Sequence, residues 1–334
     1  MKKIFAVFAL VLIFSASPIF AQRTITIKMA TQIPENTPWG LFLNQVAADW
    51  KRITNGQVDV IIYHNKTAGN EEAVVRNLRL NQLQAAVLST FGLTEVTPEI
   101  MTFSCPFTIR NDAELDLVLK GIKGDLEEKI SAKGFYTVAW SRVGWVKFFS
   151  KTPIYEPADL KKLKLGTLNE YETLNHVFRT IGFQMVPVAQ NEILVALNSP
   201  MVDAVYNSPA AVGSTQLFAL AKNMASINVA PFMGAIIVNR RTWNSIPDKF
   251  KPQMIEAVTR REAALDETVR KFEAELITSM ESYGLKMNQL SPAQEQLWYD
   301  EIAKAMPNLL GSFVDRGIYG KIDAILKEHR SGRR

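Results

Sequence analysis

The chain has 334 residues, of which 47% are apolar and 21% charged, so it is an ordinary globular protein long enough for two structural units. Its net charge of +5, from 38 Lys and Arg against 33 Asp and Glu, is too small and too dispersed to indicate a nucleic-acid-binding protein. One Cys and three widely separated His exclude a disulfide framework and a structural zinc site, and the sequence predicts neither a metal nor a cofactor.

Residues 1–21 are predicted to be a cleaved signal peptide. Lys2 and Lys3 precede an apolar run over 4–14, and small residues then lead to Ala21. The run is shorter than the roughly 20 apolar residues that cross a bilayer, and an uncleaved membrane anchor is the alternative interpretation. We therefore expect a mature protein that begins at Gln22 and is located in the periplasm.

The segment after residue 21 alternates between strand and helix patterns. Strands are predicted at 24–31, 58–63 and 85–88, and helices at 37–54 and 70–81. A βαβαβ order implies parallel strands joined by crossover helices.

A second block repeats this order further along the chain. Its predicted strands are 163–168, 183–188 and 202–206, and its predicted helices are 170–181 and 189–198. Between the two blocks the pattern predicts a helix at 111–133 and strands at 136–140 and 148–150. The chain is therefore expected to form two α/β units.

A long helix is predicted near the end of the chain. From Pro247 to Tyr283 apolar residues recur at spacings of three, four and seven, and Gly284 ends the pattern. At 1.5 Å per residue such a helix exceeds about 50 Å, which is longer than one small domain is wide. We expect it to run across both units, and we prefer this interpretation to a coiled coil with a second chain.

The sequence shows no catalytic constellation. GxSxG, GxGxxG and GxxxxGKS motifs are all absent, which leaves nucleophilic hydrolysis and nucleotide binding without support. His64, His176 and His329 lie in contexts that suggest no shared chemistry, and Cys105 is expected to be a small buried residue. We therefore predict that the protein is not an enzyme. An exported, two-unit α/β chain of this kind is typical of a solute-binding protein that closes on a ligand.

Several segments, in this order, resemble one known family. They are PENTPWG (34–40), NGQVDVIIY (55–63), NQLQAAVL (81–88), MTFSCPF (101–107), SKTPIYEPADLKKLKLG (150–166), ALNSPMVDAVYNSP (196–209) and the strand 234–238 before the long helix. The chain resembles the substrate-binding proteins of tripartite ATP-independent periplasmic (TRAP) transporters, of the dicarboxylate-binding (DctP) type. The likeness extends from about residue 25 to about residue 325.

The resemblance implies a two-lobed periplasmic binding protein fold, with hinge strands and the long helix bracing both lobes. It places lobe I at 22–143 and 234–271, and lobe II at 144–233 and 272–330. It also implies delivery of a small molecule to membrane permease subunits by secondary transport. Some relatives work with an accessory periplasmic protein of helical repeats (TPR-like), and that partner is included among the expectations.

One position departs from the family pattern. The strand at 163–168 usually carries an arginine that clamps a ligand carboxylate, and this chain has Gly166 there. A second family arginine would fall near Trp145 or Val146. Because a buried carboxylate without a cation costs several kcal/mol, we predict a neutral or hydrophobic ligand. The alternatives are an organic acid clamped by Lys147, Arg142 or Arg179, and a sensory binding protein.

The residues expected to line the cleft follow from the same positions. They are Trp39, Ser89, Thr90, Phe91, Trp145, Val146, Gly166, Tyr206, Asn207, Phe232 and Met233. Asn207 matches a family position that commonly contacts the ligand. The aromatic members could equally be core residues, and their shared placement at pocket positions of the family favours a binding role.

Overall fold

The computed structural model describes residues 24–169 and 171–332, so the predicted signal peptide lies outside the described residues. The strands are β1 (Ile25–Thr31), β2 (Val58–Tyr63), β3 (Ala85–Ser89), β4 (Phe135–Ser150), β5 (Lys164–Leu168), β6 (Gln184–Val188), β7 (Ala204–Asn207), β8 (Asn223–Ala225), β9 (Ala230–Asn239) and β10 (Lys286–Asn288).

The α-helices are α1 (Pro38–Ile53), α2 (Glu71–Arg79), α3 (Thr90–Thr94), α4 (Asp112–Ala132), α5 (Pro157–Lys161), α6 (Glu172–Ile181), α7 (Ile193–Asn198), α8 (Pro209–Ser214), α9 (Arg240–Ser245), α10 (Lys251–Ser282), α11 (Pro292–Leu309) and α12 (Arg316–Arg330). Short 3-10 helices occupy Pro98–Thr102 and Leu217–Ala219. Among the helices of the described residues, none is both long and apolar enough to cross a membrane.

The strands form one continuous sheet with the order β2-β1-β3-β9-β4-β7-β5-β6, to which β8 and β10 are added beside the end of β4. β1, β2 and β3 are parallel, and so are β5, β6 and β7, as the βαβ patterns predict. Helices cover both faces of each half. This arrangement is the predicted two-lobed α/β fold.

One long strand, β4, crosses between the lobes. β4 pairs with β9 over residues 135–146 and with β7 over 147–150, so it belongs to both halves of the sheet. The predicted separate strands at 136–140 and 148–150 are therefore wrong as two elements, because they are parts of β4. Two shifts of register hide this continuity in the sequence, and one of them lies between Arg142 and Gly144.

Local sequence explains where several helices begin. Thr37 caps α1 by accepting a hydrogen bond from the backbone of Gly40, and Pro38 occupies the first turn. Asn70 and Asn111 cap α2 and α4 in the same way. These caps satisfy backbone N–H groups that the first helical turn leaves unpaired, and they fix the start of each crossover helix.

The long helix α10 braces both lobes. It begins at Lys251, four residues after the predicted start at Pro247, and its 32 residues span about 48 Å. Met254 and Val258 pack in the core of the first lobe, whereas Leu276 and Met280 pack in that of the second. The Trp50 Nε1 of α1 also donates a hydrogen bond of 3.1 Å to the Met254 carbonyl oxygen.

The predicted lobe boundaries stay a prediction. The last helix, α12, packs its apolar residues Ile318, Ile322 and Leu326 in the same core as residues of α4. Its C-terminal Arg330 donates to both carboxylate oxygens of Glu114, at 2.8 Å each. The chain therefore returns to the first lobe at its end, a contact that the predicted boundaries did not include.

Candidate functional site

The carboxyl ends of the parallel strands of the two lobes face each other across the hinge. Ser89, at the end of β3, and Ser141 of β4 both pair with Gly234 of β9, so they lie at the same level of the sheet. Asn207, at the end of β7, pairs with Lys147 of β4. Five residues of β4 lie between these levels, and because one of them is the extra residue at the register shift, the separation is about 16 Å along the strand. Loops that follow parallel strands form the usual ligand cleft of α/β proteins, and here they close from both sides.

An aromatic cluster bridges the two lobes in this cleft. It consists of Phe91, Tyr171, Tyr206 and Phe232. Phe91, which follows β3, stacks on Tyr171, which follows β5, with 4.5 Å between ring centroids. Its centroid also lies 5.9 Å from that of Phe232 and 6.3 Å from that of Tyr206. Two rings on different lobes thus make direct contact.

A small cavity of about 90 Å³ adjoins the aromatic cluster. Its lining residues come from α3, the following 3-10 helix and the start of α6: Phe91, Thr94, Glu95, Met101, Tyr171, Glu172, Thr173 and Leu174. A larger groove of about 420 Å³ lies between α4 and α12, away from the cleft. Charged groups in that groove pair with each other, for example Lys321 with Asp125 at 2.6 Å, so we place the candidate site at the aromatic cluster.

Tyr206 brings a polar atom into the aromatic cluster. The residue is 8% exposed, and its buried hydroxyl has no hydrogen-bond partner among the described residues. Burial raises the pKa of Tyr206 well above its usual range, and the nearby Cys105 adds to the shift. Burial likewise raises the pKa of the Cys105 thiol to about 12. Both groups are therefore neutral at physiological pH, and Tyr206 is available as a neutral hydrogen-bond donor.

The predicted hydroxyl groups of Ser89 and Thr90 are engaged within the first lobe. Ser89 Oγ donates to Glu71 Oε2 at 2.7 Å and accepts from the backbone of Gly92. Thr90 is 1% exposed, and its Oγ1 exchanges hydrogen bonds with the backbone of Met233 at 3.3 and 3.4 Å. These hydroxyls position the loop that carries Phe91.

The two predicted tryptophans lie along the hinge and outside the aromatic cluster. Trp39 Nε1 donates to the Arg142 carbonyl oxygen at 3.2 Å, and its ring meets the edge of Phe272 of α10. Trp145 Nε1 donates to Asp112 Oδ1 at 2.9 Å. Both side chains are buried, so their structural role here is to join the hinge to the helices. Val146 and Met233 are core residues of the two lobes.

Gly166 lies at a position where a side chain has no room. A Cβ atom there would stand 2.8 Å from Cγ1 of Val202 and 3.2 Å from Cδ1 of Ile193. Both neighbours are apolar and belong to the packing between β5 and α7. An arginine at this position would therefore displace the local core, and the chain has built an apolar contact where the resemblance implies a charged clamp.

Two of the three cations proposed as substitutes, Arg142 and Lys147, are already engaged by other groups of the protein. Arg142 pairs with Asp116, lies 3.4 Å from Asp112 and 3.7 Å from Asp266. Arg179 is exposed in the last turn of α6. Lys147, the third of these cations, lies on the hinge strand β4.

Lys147 lies on the opposite face of β4 from Val146 and Phe148. Its Nζ donates to the Ser226 carbonyl oxygen at 2.7 Å and to Asn228 Oδ1 at 3.0 Å. Burial lowers the pKa of Lys147 to about 8, although Glu273 and Glu295 partly offset the shift. Its ammonium group is thus already solvated by the protein. Asn207, its register partner, uses its side-chain oxygen to accept from the Ser208 backbone.

Tyr171 is the cleft residue that the sequence analysis missed. The signal was available, since Tyr171 follows β5 as Phe91 follows β3. It was overlooked because the pattern placed 170–181 in one helix, whereas α6 begins at Glu172. Among the described residues, no group of three or more His, Cys, Asp or Glu side chains could hold a metal ion.

Comparisons with known proteins agree with this architecture. Residues 29–310 match the family model DctP, bacterial extracellular solute-binding protein, family 7. The chain is 23% identical over 282 residues to the C4-dicarboxylate-binding periplasmic protein DctP of Rhodobacter capsulatus, covering 83% of this chain and 84% of the relative.

Solved structures show the same fold. A TRAP periplasmic solute binding protein from Sulfurospirillum deleyianum with bound succinate superposes with a TM-score of 0.79 at 22% identity, covering 91% of this chain and 99% of that one. Another, from Xanthobacter autotrophicus with bound β-D-galacturonate, gives a TM-score of 0.78 at 19% identity, covering 90% and 98%.

Proposed function

Because the chain belongs to family 7 of the bacterial extracellular solute-binding proteins, the substrate-binding subunits of TRAP transporters, we propose that its cleft captures a neutral or hydrophobic small molecule for a membrane permease. Proteins of this family are periplasmic and are not enzymes. They bind small molecules and work with membrane permease subunits. The nature of the ligand is the part that we infer from this chain's own residues.

The observation that carries the proposal is the aromatic cluster. Phe91 belongs to one lobe and Tyr171 to the other, so a ligand that packs against the edges of both rings contacts both lobes at once. Only contacts made in the closed state can favour closure, and rings on opposite sides of the hinge supply such contacts. Burial of apolar ligand surface would provide most of the affinity, at about 25 cal/mol per Å².

The distribution of charge supports a neutral ligand. A carboxylate taken out of water needs a cation or several hydrogen-bond donors, and without them it costs several kcal/mol. Arg142 is neutralised by three carboxylates, and Gly166 leaves no space for a cation. The unpaired Tyr206 hydroxyl matches a ligand with a single carbonyl, ether or hydroxyl oxygen.

Organic-acid binding is the second candidate, and the solved relatives favour it. The structures from Sulfurospirillum deleyianum and Xanthobacter autotrophicus are described with succinate and galacturonate. In this chain Lys147 would be the clamp, since it is the cation on the hinge strand beside Asn207. It would have to give up its bonds to Ser226 and Asn228. The accessory helical-repeat partner stays a prediction.

The deciding experiment identifies the bound compound. The mature protein is purified under mild conditions and denatured, and the organic extract is analysed by mass spectrometry. A neutral or lipid-like compound near a one-to-one ratio is the expected result. A small carboxylic acid at that ratio would overturn the proposal.

Two variants locate the compound. Phe91→Ala should lower the amount that co-purifies, whereas Phe313→Ala, which removes a ring stacked on His176 away from the cleft, should not. Titration with succinate provides the converse test. We expect no heat of binding to the wild-type protein; binding that Lys147→Met abolishes would establish the second candidate.

A further inference from the structure

The lobe II sheet ends, on the side away from the cleft, in a row of four lysines. Lys164 begins β5, Lys222 immediately precedes β8, Lys286 begins β10 and Lys151 immediately follows β4. β4 runs antiparallel to β7 and β8, β5 runs parallel to β7, and β10 runs parallel to β8. All four lysines therefore lie at the same edge, which we call the lysine edge.

Backbone and side-chain bonds make the lysine edge continuous. The Lys286 N–H donates to the Lys222 carbonyl oxygen at 2.8 Å, and Asn223 Nδ2 donates to the Lys151 carbonyl oxygen at 3.0 Å. Asp203 then joins Lys151 to Lys164, since it bonds through its backbone to each of them at 2.9 Å. At about 4.8 Å per strand, the row from β10 to β5 is roughly 20 Å long.

The charge of this edge is only partly compensated. Lys164, Lys222 and Lys286 are exposed, and within the described part of the chain none of their Nζ atoms has a carboxylate oxygen within 4 Å, although the Lys164 backbone N–H donates to Asp203 Oδ2 at 3.1 Å. Lys151 lies 3.8 Å from Asp203. Glu281, exposed at the end of α10, lies five residues before Lys286 in the chain.

Exposed apolar side chains accompany the lysines. Met201 is 55% exposed, and Tyr283, three residues before Lys286, is 78% exposed. The Nζ atoms of Lys151 and Lys164 donate to the carbonyl oxygens of Ser199, Pro200 and Val202, so the lysines hold the turn that presents Met201.

The apolar surface continues onto α7. Val202 N donates to the Ala196 carbonyl oxygen at 3.2 Å, which brings the turn beside this helix. Val195 and Leu194 of α7 are 70% and 46% exposed.

We propose that the lysine edge docks on an anionic lipid surface. Lysines at a bilayer surface attract acidic headgroups, and exposed apolar and aromatic side chains among them enter the interfacial layer. Charge complementarity selects this occupant, because a neutral protein surface would leave the exposed ammonium groups of Lys222 and Lys286 without an opposite charge. Docking at this edge leaves the cleft, at the other end of lobe II, free to open and close. The inference does not depend on which ligand the cleft binds.

Co-sedimentation with vesicles tests the proposal. The mature chain is mixed with vesicles of phosphatidylcholine alone or with phosphatidylcholine containing phosphatidylglycerol, at low and at physiological salt. We expect binding that requires phosphatidylglycerol and weakens as salt rises. At about fivefold per lysine, the double variant Lys222→Gln with Lys286→Gln should bind roughly 25-fold more weakly.

Matched variants separate this surface from general basicity. Lys120→Gln with Lys133→Gln makes the same change of charge at exposed positions of lobe I and should leave binding unchanged. Met201→Ser with Tyr283→Ser should weaken binding but keep its salt dependence. Equal losses in the two lysine double variants, or absence of vesicle binding, would overturn the proposal. If the double variant Lys222→Gln with Lys286→Gln loses binding only to vesicles that contain the permease, the lysine edge binds a protein partner. That result would also overturn the proposal.

Discussion

The two faces of the hinge strand β4 differ in what they leave available. On one face Val146 and Phe148 join the apolar core that includes Tyr206 and Phe91. On the other face Lys147 and the neighbouring Arg142 meet carboxylates and carbonyl groups of α4, α10 and the β8–β9 connection. Alternation along a single strand thus separates an apolar surface from a charged one.

This difference shows that a cation close to a cleft is not automatically a ligand clamp. On the charged face Arg142 is paired with carboxylates of α4 and α10, and Lys147 donates to a carbonyl and an amide oxygen of the β8–β9 connection. These contacts hold the hinge strand to its neighbours. The apolar face ends in rings that meet across the lobes. We therefore expect substitutions on the apolar face to affect the core and the ligand, and substitutions on the charged face to affect the hinge.

The largest effect is expected from Phe148→Ala. The ring is fully buried and lies 5.5 Å from Trp298 and 6.0 Å from Tyr206 between centroids. Its removal leaves a cavity, and the free energy of unfolding should fall by about 3 to 5 kcal/mol. Urea unfolding measures this, with Phe313→Ala, a partly buried ring, as the milder control. Equal losses would show that the apolar face is not a packed core.

A smaller loss is expected from Arg142→Met. The substitution keeps most of the side-chain volume but leaves Asp112, Asp116 and Asp266 without their shared cation. We expect the free energy of unfolding to fall by about 2 kcal/mol. Arg270 approaches two of the same carboxylates but is 60% exposed, so Arg270→Met should cost less than about 0.5 kcal/mol. Similar costs for both would mean that simple surface charge, and not the buried hinge contact, matters.

Gly166→Ala tests whether the position at which the family resemblance implies an arginine is packed. The new methyl group would press on Val202, and we expect the free energy of unfolding to fall by about 1 to 2 kcal/mol. Gly124 lies on the exposed side of α4, and a Cβ atom built there has nothing within 4 Å. Gly124→Ala should therefore raise the free energy of unfolding by about 0.5 to 1 kcal/mol. Thermal unfolding distinguishes the two signs. A stabilising Gly166→Ala would place open space at this position.

Much of the fold could be predicted, because its strands and helices carry clear periodic patterns. The strand predicted at 58–63 has the bounds of β2, and the predicted end of the long helix lies one residue beyond that of α10. The unity of β4 was not predictable, since a bulge and Gly144 at a positive φ break its alternation.

The site was harder to predict than the fold. Phe91 and Tyr206 were identified from family positions, but their contact with Tyr171 joins parts of the chain that only the folded hinge brings together. The pairing of Arg142 is of the same kind, because its carboxylate partners come from α4 and α10. Periodicity describes one element at a time and does not report which elements meet.

The smallest effect concerns Glu262 of α10, a carboxylate that forms no salt bridge within the described residues. Its Oε1 is buried and has no hydrogen-bond partner in this part of the chain. Burial raises the pKa of Glu262 from 4.5 to about 7; Asp266 adds to the increase and Lys123 opposes it. Between these two pH values the folded state holds a proton that the unfolded state has lost, so stability falls as pH rises through this window.

Glu262→Gln should remove the fall in stability that accompanies ionisation of this carboxyl. We expect the variant to exceed the wild type by about 1 kcal/mol in free energy of unfolding at pH 8, and by less at pH 5, where the wild-type carboxyl is protonated in the folded state. Glu256→Gln, at an exposed position of the same helix, should show no such dependence. Urea unfolding at both pH values supplies the comparison. If the two proteins differ in free energy of unfolding by the same amount at both pH values, the Glu262 carboxyl is ionised in the folded state as well as in the unfolded state. The charges around it would then fully compensate its burial.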